Sequence, residues 1–120
     1  MLSIDLSGKI VVVTGATGQL GRVMARTLAQ CGADVAVHYH ANERQADQLV
    51  KEITEMGRRA MKVRADVTIE SEVSAMCDAV AGTLGAPQII VNNAVIQYKW
   101  TSVLEQSVAD YESQFRSCVL

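Results

Sequence analysis

The sequence has few of the residues that staple or interrupt a small fold. It contains one proline and only three cysteines, which are widely spaced and form no Cys-x-x-Cys pair. These features exclude a disulfide framework and are typical of a reduced, cytoplasmic protein. Aromatic residues make up 4% of the chain, so a core must be built from Val, Ile, Leu, Ala and Met. We expect the cysteines to lie on apolar helix faces in that core rather than to act as nucleophiles. They are Cys31, Cys77 and Cys118.

Excess charge and long apolar runs are also missing. Eleven basic residues against thirteen acidic ones give a net charge of −2, which predicts neither a nucleic-acid partner nor an anionic membrane partner. No apolar run reaches the roughly 18 residues of a membrane-spanning helix, and Met1–Lys9 lacks the regions of a signal peptide. With 49% apolar residues among 120, the composition excludes disorder and predicts one domain over residues 1–120.

Short aliphatic runs alternate with longer segments of helical period. The runs predict four strands, of which the third alternates in polarity and is therefore expected at an edge of the sheet. The strands are Lys9–Thr14, Asp34–Tyr39, Ala60–Ala65 and Gln88–Asn92, the last being fully buried in character.

Apolar residues at helical spacing predict four helices with defined buried faces. The third is expected to start at an N-cap, Thr68, and the fourth at a capping box formed by Ser107 and Asp110. The expected buried faces are Leu20, Val23, Met24, Leu28 and Cys31; Ala46, Leu49, Val50 and Ile53; Ile69, Val73, Met76, Cys77, Val80 and Leu84; and Val108, Tyr111 and Phe115.

Strictly alternating strands and helices predict an α/β fold, a doubly wound parallel sheet of the Rossmann type with strand order 3-2-1-4. Ligands in that architecture lie beyond the carboxyl ends of the strands, where the order reverses between strands 1 and 4. Because only four strands are predicted and the sequence stops within the fourth predicted helix, we expect residues 1–120 to be the N-terminal part of a larger domain.

The segment after the first strand reads Thr14-Gly15-Ala16-Thr17-Gly18-Gln19-Leu20-Gly21. A pyrophosphate needs backbone N–H donors at close range and benefits from the positive end of a helix dipole. Gly15 permits a sharp turn, Gly18 a close approach, and Gly21 tight packing of helix against sheet. A glycine-rich turn without a ligand is the alternative. Because no Gly-Lys-Ser/Thr follows, a nucleoside-triphosphate loop is not expected.

Together with Ala65-Asp66-Val67 and Val91-Asn92-Asn93-Ala94, this turn resembles the short-chain dehydrogenase/reductase family. The resemblance covers essentially all 120 residues but only the first half of a typical member, and is greatest to 3-oxoacyl-carrier-protein reductases and sugar-alcohol dehydrogenases. It implies an NAD(P)-dependent oxidoreductase that transfers hydride between a nicotinamide and a carbonyl or alcohol substrate.

The resemblance also implies a role for each matching residue. The turn would wrap the pyrophosphate, Asp66 would accept from the adenine amino group, and the N–H of Val67 would meet a ring nitrogen. Asn92 and Ala94 would line the adenosine ribose side and brace strand 4 against the turn. Alternatively, Asp66 caps the third helix, and Asn92 and Asn93 simply form a turn. The full set of implied cofactor-binding residues is Gly15, Thr17, Gly18, Gln19, Leu20, Gly21, Tyr39, His40, Arg44, Asp66, Val67, Asn92 and Ala94.

Two positions depart from the family pattern. The usual turn would have glycine at Gln19, whereas this chain has Gly18 instead, and Val95 replaces the glycine that normally follows Asn-Asn-Ala. A branched residue at position 95 disfavours positive φ and is expected to narrow the nicotinamide side of the cleft.

The end of strand 2 bears on the choice of cofactor. NAD enzymes usually place a carboxylate there for the ribose 2′-hydroxyl, but this segment has none before Glu43. NADP is therefore favoured, with NAD as the alternative, and the donors around Tyr39 would be His40, Asn42 and Arg44. Arg44 is otherwise a solvated residue of the second helix. His38 and His40 have no third ligand at zinc-like spacing, so no metal is expected.

The family's catalytic Tyr-x-x-x-Lys does not occur, because no tyrosine of this chain has lysine four residues later, and no asparagine lies near Cys118. No catalytic residue is therefore predicted. The competing interpretation is a non-catalytic dinucleotide-binding or redox-sensing module. The parent protein is expected to be a homo-oligomer, a dimer or tetramer. Tyr98 and Trp100 would either line a substrate pocket or cover the sheet edge.

Overall fold

The computed structural model describes residues 2–95 and 100–119. Strands and helices alternate along the chain, and a short 3₁₀ helix, Val103–Glu105, precedes the last helix. The elements are β1 Ile10–Val13, α1 Gln19–Gln30, β2 Asp34–Tyr39, α2 Glu43–Glu55, β3 Ala60–Arg64, α3 Glu70–Thr83, β4 Ile89–Val91 and α4 Val108–Cys118. The strands form one parallel sheet in the order β3-β2-β1-β4, which confirms the predicted architecture and the edge position of β3.

Each face of the sheet carries its own apolar layer. Val11 and Val13 of β1 pack with α1 and α2 on one face, whereas Ile10 and Val12 pack with α3 on the other. This division follows from the alternation of side chains along a strand, and it explains why β1 is apolar throughout. The predicted faces of α2 and of the C-terminal half of α3 are confirmed, since Leu49, Ile53, Met76, Val80 and Leu84 are buried.

The buried face of α1 differs from the prediction. The helix rests on the sheet through Gly21, Ala25 and Ala29, while Leu20 and Val23 are 65% and 55% exposed. Small side chains let the helix lie close to β1, and they follow the same i, i+4, i+8 spacing as a large apolar face. Of the predicted face, Leu28 packs against the core, whereas the prediction is wrong for Leu20 and Val23.

The start and one face of α3 also differ from the prediction. The helix begins at Glu70 after Ile69, and Thr68 is not its N-cap, because the Asp66 carboxylate holds Thr68 in a turn. Cys77 is exposed because it lies one position beyond buried Met76, about 100° around the helix. Cys118 is exposed too, so the expected core role of these two cysteines is wrong.

Strand β4 and helix α4 are less covered than their sequences indicate. Ile90 is 60% exposed, although β4 reads as a fully buried strand, because β4 has a neighbour only on its β1 side among the described strands. Ser107 caps α4 by accepting from the Asp110 N–H at 3.2 Å, as expected, but no residue of α4 is buried. Within the described parts of the chain, no helix is long and apolar enough to cross a bilayer.

Candidate functional site

The carboxyl ends of all four strands open into one cleft of about 590 Å³. This volume lies within the usual range of small-molecule sites, about 300–1,000 Å³. The cleft is at the predicted edge of the sheet. It brings together ten of the implied cofactor-binding residues: Gly15, Thr17, Gly18, Gln19, Leu20, Gly21, His40, Asp66, Val67 and Ala94.

Three other implied residues do not line the cleft. Tyr39 is only 7% exposed and lies in the apolar layer under α1 and α2, because it alternates with His38 and His40 along β2. Arg44 is exposed on the first turn of α2, and Asn92 is exposed after β4. Asn42, also named as a donor, lines the cleft, but its side chain caps α2 by accepting from Gln45 N–H at 3.1 Å.

The turn between β1 and α1 depends on glycine at two positions. Gly15 has φ +62°, and a Cβ there would lie 2.9 Å from Ala94 Cα. A Cβ on Gly21 would lie 2.3 Å from the Gly15 carbonyl oxygen, so this residue provides the tight packing expected of it. Gly18 has an ordinary φ of −71°, and its nearest neighbour would be at 3.4 Å. The turn could therefore fold with a small side chain at position 18.

The backbone amides of this turn divide into two groups. Three of them donate to other groups of the chain. The Gly15 N–H donates to the His38 ring at 2.9 Å, the Ala16 N–H to the His38 carbonyl at 3.0 Å, and the Gly18 N–H to the Gly15 carbonyl at 3.1 Å. The first helical hydrogen bond of α1 is from Arg22 N–H to Gly18 carbonyl, and no side chain caps the helix.

The N–H groups of Thr17, Gln19, Leu20 and Gly21 have no acceptor within the described chain, and the last three lie in the first turn of α1, at the end that borders the cleft. Three free amides at the positive end of a helix dipole form an arrangement that binds anions. The sequence predicts this task for the whole segment Thr14–Gly21. Within it, the amides without an acceptor in the described chain are those of Thr17 and of the first turn of α1, and their role toward an anion stays a prediction.

Thr14 and Asn93 join the end of β4 to the turn. The Thr14 hydroxyl accepts from the N–H of Asn93 at 2.9 Å and of Ala94 at 3.0 Å, and donates to the Val91 carbonyl at 3.2 Å. The Asn93 amide group donates to the Thr14 and Gly15 carbonyls, both at 3.1 Å. The brace expected of Asn92 is thus provided by Asn93, because successive side chains after β4 point in opposite directions.

His38 lies beneath the turn and was missed as a site residue. It is 2% exposed, and each ring nitrogen meets a backbone group from a different segment. Burial is the main cause that lowers the pKa of the His38 ring, and the charge of His40 acts in the same direction, whereas the hydrogen bond with the Ala65 carbonyl opposes them. A polar residue within an otherwise apolar strand was the signal that could have identified it.

Asp66 and His40 face each other across the cleft. Asp66 Oδ1 accepts from the Thr68 hydroxyl at 2.7 Å and from its N–H at 2.9 Å, and these bonds lower the pKa of the Asp66 carboxyl. Oδ2 lies 3.8 Å from His40 Nε2. Because Asp66 forms a turn before α3 rather than capping the helix, the helix-cap alternative is wrong, and Oδ2 is left on the cleft side.

A family model described as short chain dehydrogenase matches residues 9–119, which is nearly the whole chain. The chain belongs to the short chain dehydrogenase family. The glycine turn, Asp66 and the Asn-Asn-Ala segment that carried the resemblance lie together at the cleft, as members of one site would. Assignment to a subtype within the short chain dehydrogenases stays a prediction.

Relatives with known names or structures agree with this membership. The chain is 35% identical over 108 residues to a 2-dehydro-3-deoxy-D-gluconate 5-dehydrogenase of Formosa agariphila, covering 90% of the chain and 40% of that protein. The structure of a short-chain type dehydrogenase/reductase of Mycobacterium marinum is 32% identical in sequence, with a TM-score of 0.86. The match covers 96% of this chain and 46% of that protein. A short chain dehydrogenase of Burkholderia cenocepacia, solved in complex with NADP, is 34% identical, with a TM-score of 0.84. This match covers 95% of this chain and 46% of that protein. The chain thus spans less than half the length of these short chain dehydrogenases.

The two departures from the short chain dehydrogenase pattern both lie at the cleft. Gln19 begins α1, and Val95 lines the cleft with its side chain half exposed. No non-glycine residue described has positive φ, so Val95 causes no backbone strain. Trp100 is 96% exposed and does not line the cleft, while Tyr98 lies outside the described residues. Ser117 of α4 also reaches the cleft.

Proposed function

We propose that this chain is the cofactor-binding half of an NAD(P)-dependent oxidoreductase acting on a carbonyl or alcohol substrate. The observation that carries the proposal is the set of free amides at Gln19, Leu20 and Gly21, which open into a cleft of dinucleotide-binding character. The NADP complex of the Burkholderia cenocepacia relative supports a nicotinamide dinucleotide as the ligand. The nicotinamide would supply the hydride when it is bound.

The residues of the chain would hold the dinucleotide along the cleft. The amides at the start of α1 would bind the diphosphate, and the absence of Cβ atoms at Gly15 and Gly21 keeps the turn against the sheet. Asp66 Oδ2 and the N–H of Val67 would bind the adenine, with Ala94 on the ribose side. Val95 would border the nicotinamide side. Thr17 and Gly18 would lie against the diphosphate, since both line the cleft.

A non-catalytic dinucleotide-binding or redox-sensing module is the second candidate. The Gly18–Gln19 spacing and the lack of an asparagine near Cys118 favour it. Oxidation of NADPH by the whole protein with a panel of aldehydes and ketones separates the two. Turnover above the rate without substrate supports the oxidoreductase. Tight nucleotide binding without turnover on any panel member supports the module.

For the ribose end of the cofactor, we propose NADP rather than NAD. His40 and Asn42 line the cleft after β2, and no carboxylate does so there. The first carboxylate after β2 in the sequence, Glu43, does not line the cleft and accepts from Lys62 Nζ at 2.9 Å. A 2′-phosphate would therefore meet the donor His40 and no carboxylate from the end of β2, where NAD enzymes usually place one. Tyr39 could contribute only through its backbone, because its side chain lies in the core.

We expect this chain to bind NADPH at least about tenfold more tightly than NADH at low salt, as measured by isothermal titration. His40→Asp should remove that preference, because its carboxylate would repel a 2′-phosphate and accept from a 2′-hydroxyl. Arg44→Ala is the matched comparison at a position outside the cleft lining. A loss of preference in Arg44→Ala but not in His40→Asp would assign the 2′-phosphate to Arg44. Tighter binding of NADH by the unmodified chain would contradict the proposal.

Oligomerisation and a cytoplasmic location stay predictions for the parent protein. Apolar side chains on β4 and α4 are exposed, namely Ile90, Tyr111 and Phe115. Exposed apolar side chains favour association. Their exposure therefore supports a homo-oligomer.

A further inference from the structure

His38 links three segments that meet at the cleft. Its Nδ1 receives the Gly15 N–H at 2.9 Å, and its Nε2 lies 2.8 Å from the carbonyl oxygen of Ala65, at the end of β3. Its own carbonyl receives the Ala16 N–H at 3.0 Å. The ring thus ties the glycine turn, which follows β1, to the strand on the far side of β2.

We infer that His38 is a positioning residue for dinucleotide binding, whose neutral ring fixes the Gly15–Gly21 turn so that the first amides of α1 face the ligand. This inference rests on the proposed function and deepens it. His38 itself would touch the turn rather than the diphosphate, because both of its ring nitrogens are already occupied by backbone groups.

The hydrogen bonds define one tautomer of the ring. Since the Gly15 N–H is a donor, Nδ1 must accept and carry no proton, and Nε2–H donates to the Ala65 carbonyl. Protonation of Nδ1 would place an N–H against the Gly15 N–H and break that contact. The turn would then lose the hydrogen bond that the His38 side chain makes with the Gly15 N–H.

The charged groups around the ring do not offset this effect. His40 follows the strand that carries His38, and Arg64 and Asp66 flank Ala65 at the end of β3. Asp66 lies 3.8 Å from the His40 ring, and Arg64 Nε donates to the His40 carbonyl at 3.1 Å. The turn itself, Thr14 to Ala16, contributes no titratable group. Burial lowers the pKa of the His38 ring, so the folded chain takes up a proton on it less readily than the unfolded chain does.

Two substitutions separate positioning from general structural support. His38→Asn keeps an acceptor near Nδ1 and cannot titrate, whereas His38→Leu removes both ring hydrogen bonds. At pH 7.5 we expect His38→Asn to bind NADH within about threefold of the unmodified chain and His38→Leu to bind it at least about tenfold more weakly. Circular dichroism identifies the folded variants. Equal NADH affinity in the unmodified chain and folded His38→Leu would overturn the inference.

The pH dependence provides a second test that holds even if His38→Leu does not fold. The sequence has only two histidines, so His40→Asn leaves His38 as its only imidazole. In that background, the unfolding equilibrium constant should increase up to about tenfold per pH unit below pH ~6.5, relative to the His38→Asn/His40→Asn chain. NADH is the probe because it lacks a 2′-phosphate that titrates near the same pH. Its affinity should fall in the acid range only when His38 is present.

Different results would contradict the proposed function and the inference about His38. If the unmodified chain binds neither NADH nor NADPH, the proposed function is wrong. If it binds them and the profiles with and without His38 coincide from pH 7.5 to 5, the proposed function stands and the inference about His38 is wrong.

Discussion

Replacing Gly21 by alanine should lower the free energy of unfolding by about 3 kcal/mol, because the added Cβ overpacks a rigid site. The Cβ would lie 2.3 Å from the Gly15 carbonyl oxygen and 2.9 Å from Ala16 Cα, and backbone atoms cannot move aside as a flexible side chain can. The Asn93 amide nitrogen, at 2.8 Å, would also be displaced from its bonds to the turn. Alanine's better helix propensity, about 1 kcal/mol, offsets only part of this cost.

Gly18→Ala is the matched control in the same turn. Its φ of −71° suits any residue, and the nearest atom to the new Cβ would be 3.4 Å away. We expect a loss of about 1 kcal/mol or less, since glycine is only a modestly better N-cap than alanine. Urea unfolding followed by circular dichroism measures both values. Equal losses in the two variants would contradict the packing described for Gly21.

The second large effect is expected from Thr14→Val, which has nearly the same shape but no hydroxyl. The substitution leaves the N–H groups of Asn93 and Ala94 without their acceptor in a partly buried position. Each unsatisfied donor costs roughly 1–3 kcal/mol, so the expected loss of unfolding free energy is about 2–4 kcal/mol. The same change should weaken nucleotide binding, because β4 and the glycine turn would no longer be joined by the hydroxyl.

Thr14→Ser provides the control, since it keeps the hydroxyl and removes one methyl group. We expect it to cost only about 1 kcal/mol, the value of a buried methylene-sized group. Urea midpoints of the three chains at one pH make the comparison. A serine variant as unstable as the valine variant would show that the methyl group, and not the hydroxyl, matters at position 14.

The fold followed from the sequence because its strongest signals are periodic. The continuous β-branched run of β1 requires burial on both faces, and the alternation of strands with helical segments leaves a parallel sheet as the arrangement. The exposure of Ile90 could not be predicted, because it depends on which neighbours cover β4 and not on the residues of β4 themselves. The small buried face of α1 was missed because alanine and glycine carry little hydrophobic signal, although they allow the closest approach.

The site was predictable where residue type alone sets the role. The positive φ of Gly15 and the crowded position of Gly21 both require glycine, and the turn was found on that basis. Side-chain direction at the strand ends was harder to predict. Neighbouring residues at the strand ends have different surroundings. His38 contacts the glycine turn whereas Tyr39 lies in the core, and Asn93 bonds to the turn whereas Asn92 is exposed. Such choices depend on register, which only the folded sheet fixes.

The most direct test of the account is an NMR titration of the ¹⁵N-labelled chain with NADPH. If the free amides at the start of α1 hold the diphosphate, the largest amide shifts should occur at Gln19, Leu20 and Gly21. The amides of Gly15 and Ala16, which are already bonded to His38, should shift less. Saturable binding that leaves Gln19, Leu20 and Gly21 unshifted, with the changes instead at the far ends of the strands around Cys31, would contradict the claim.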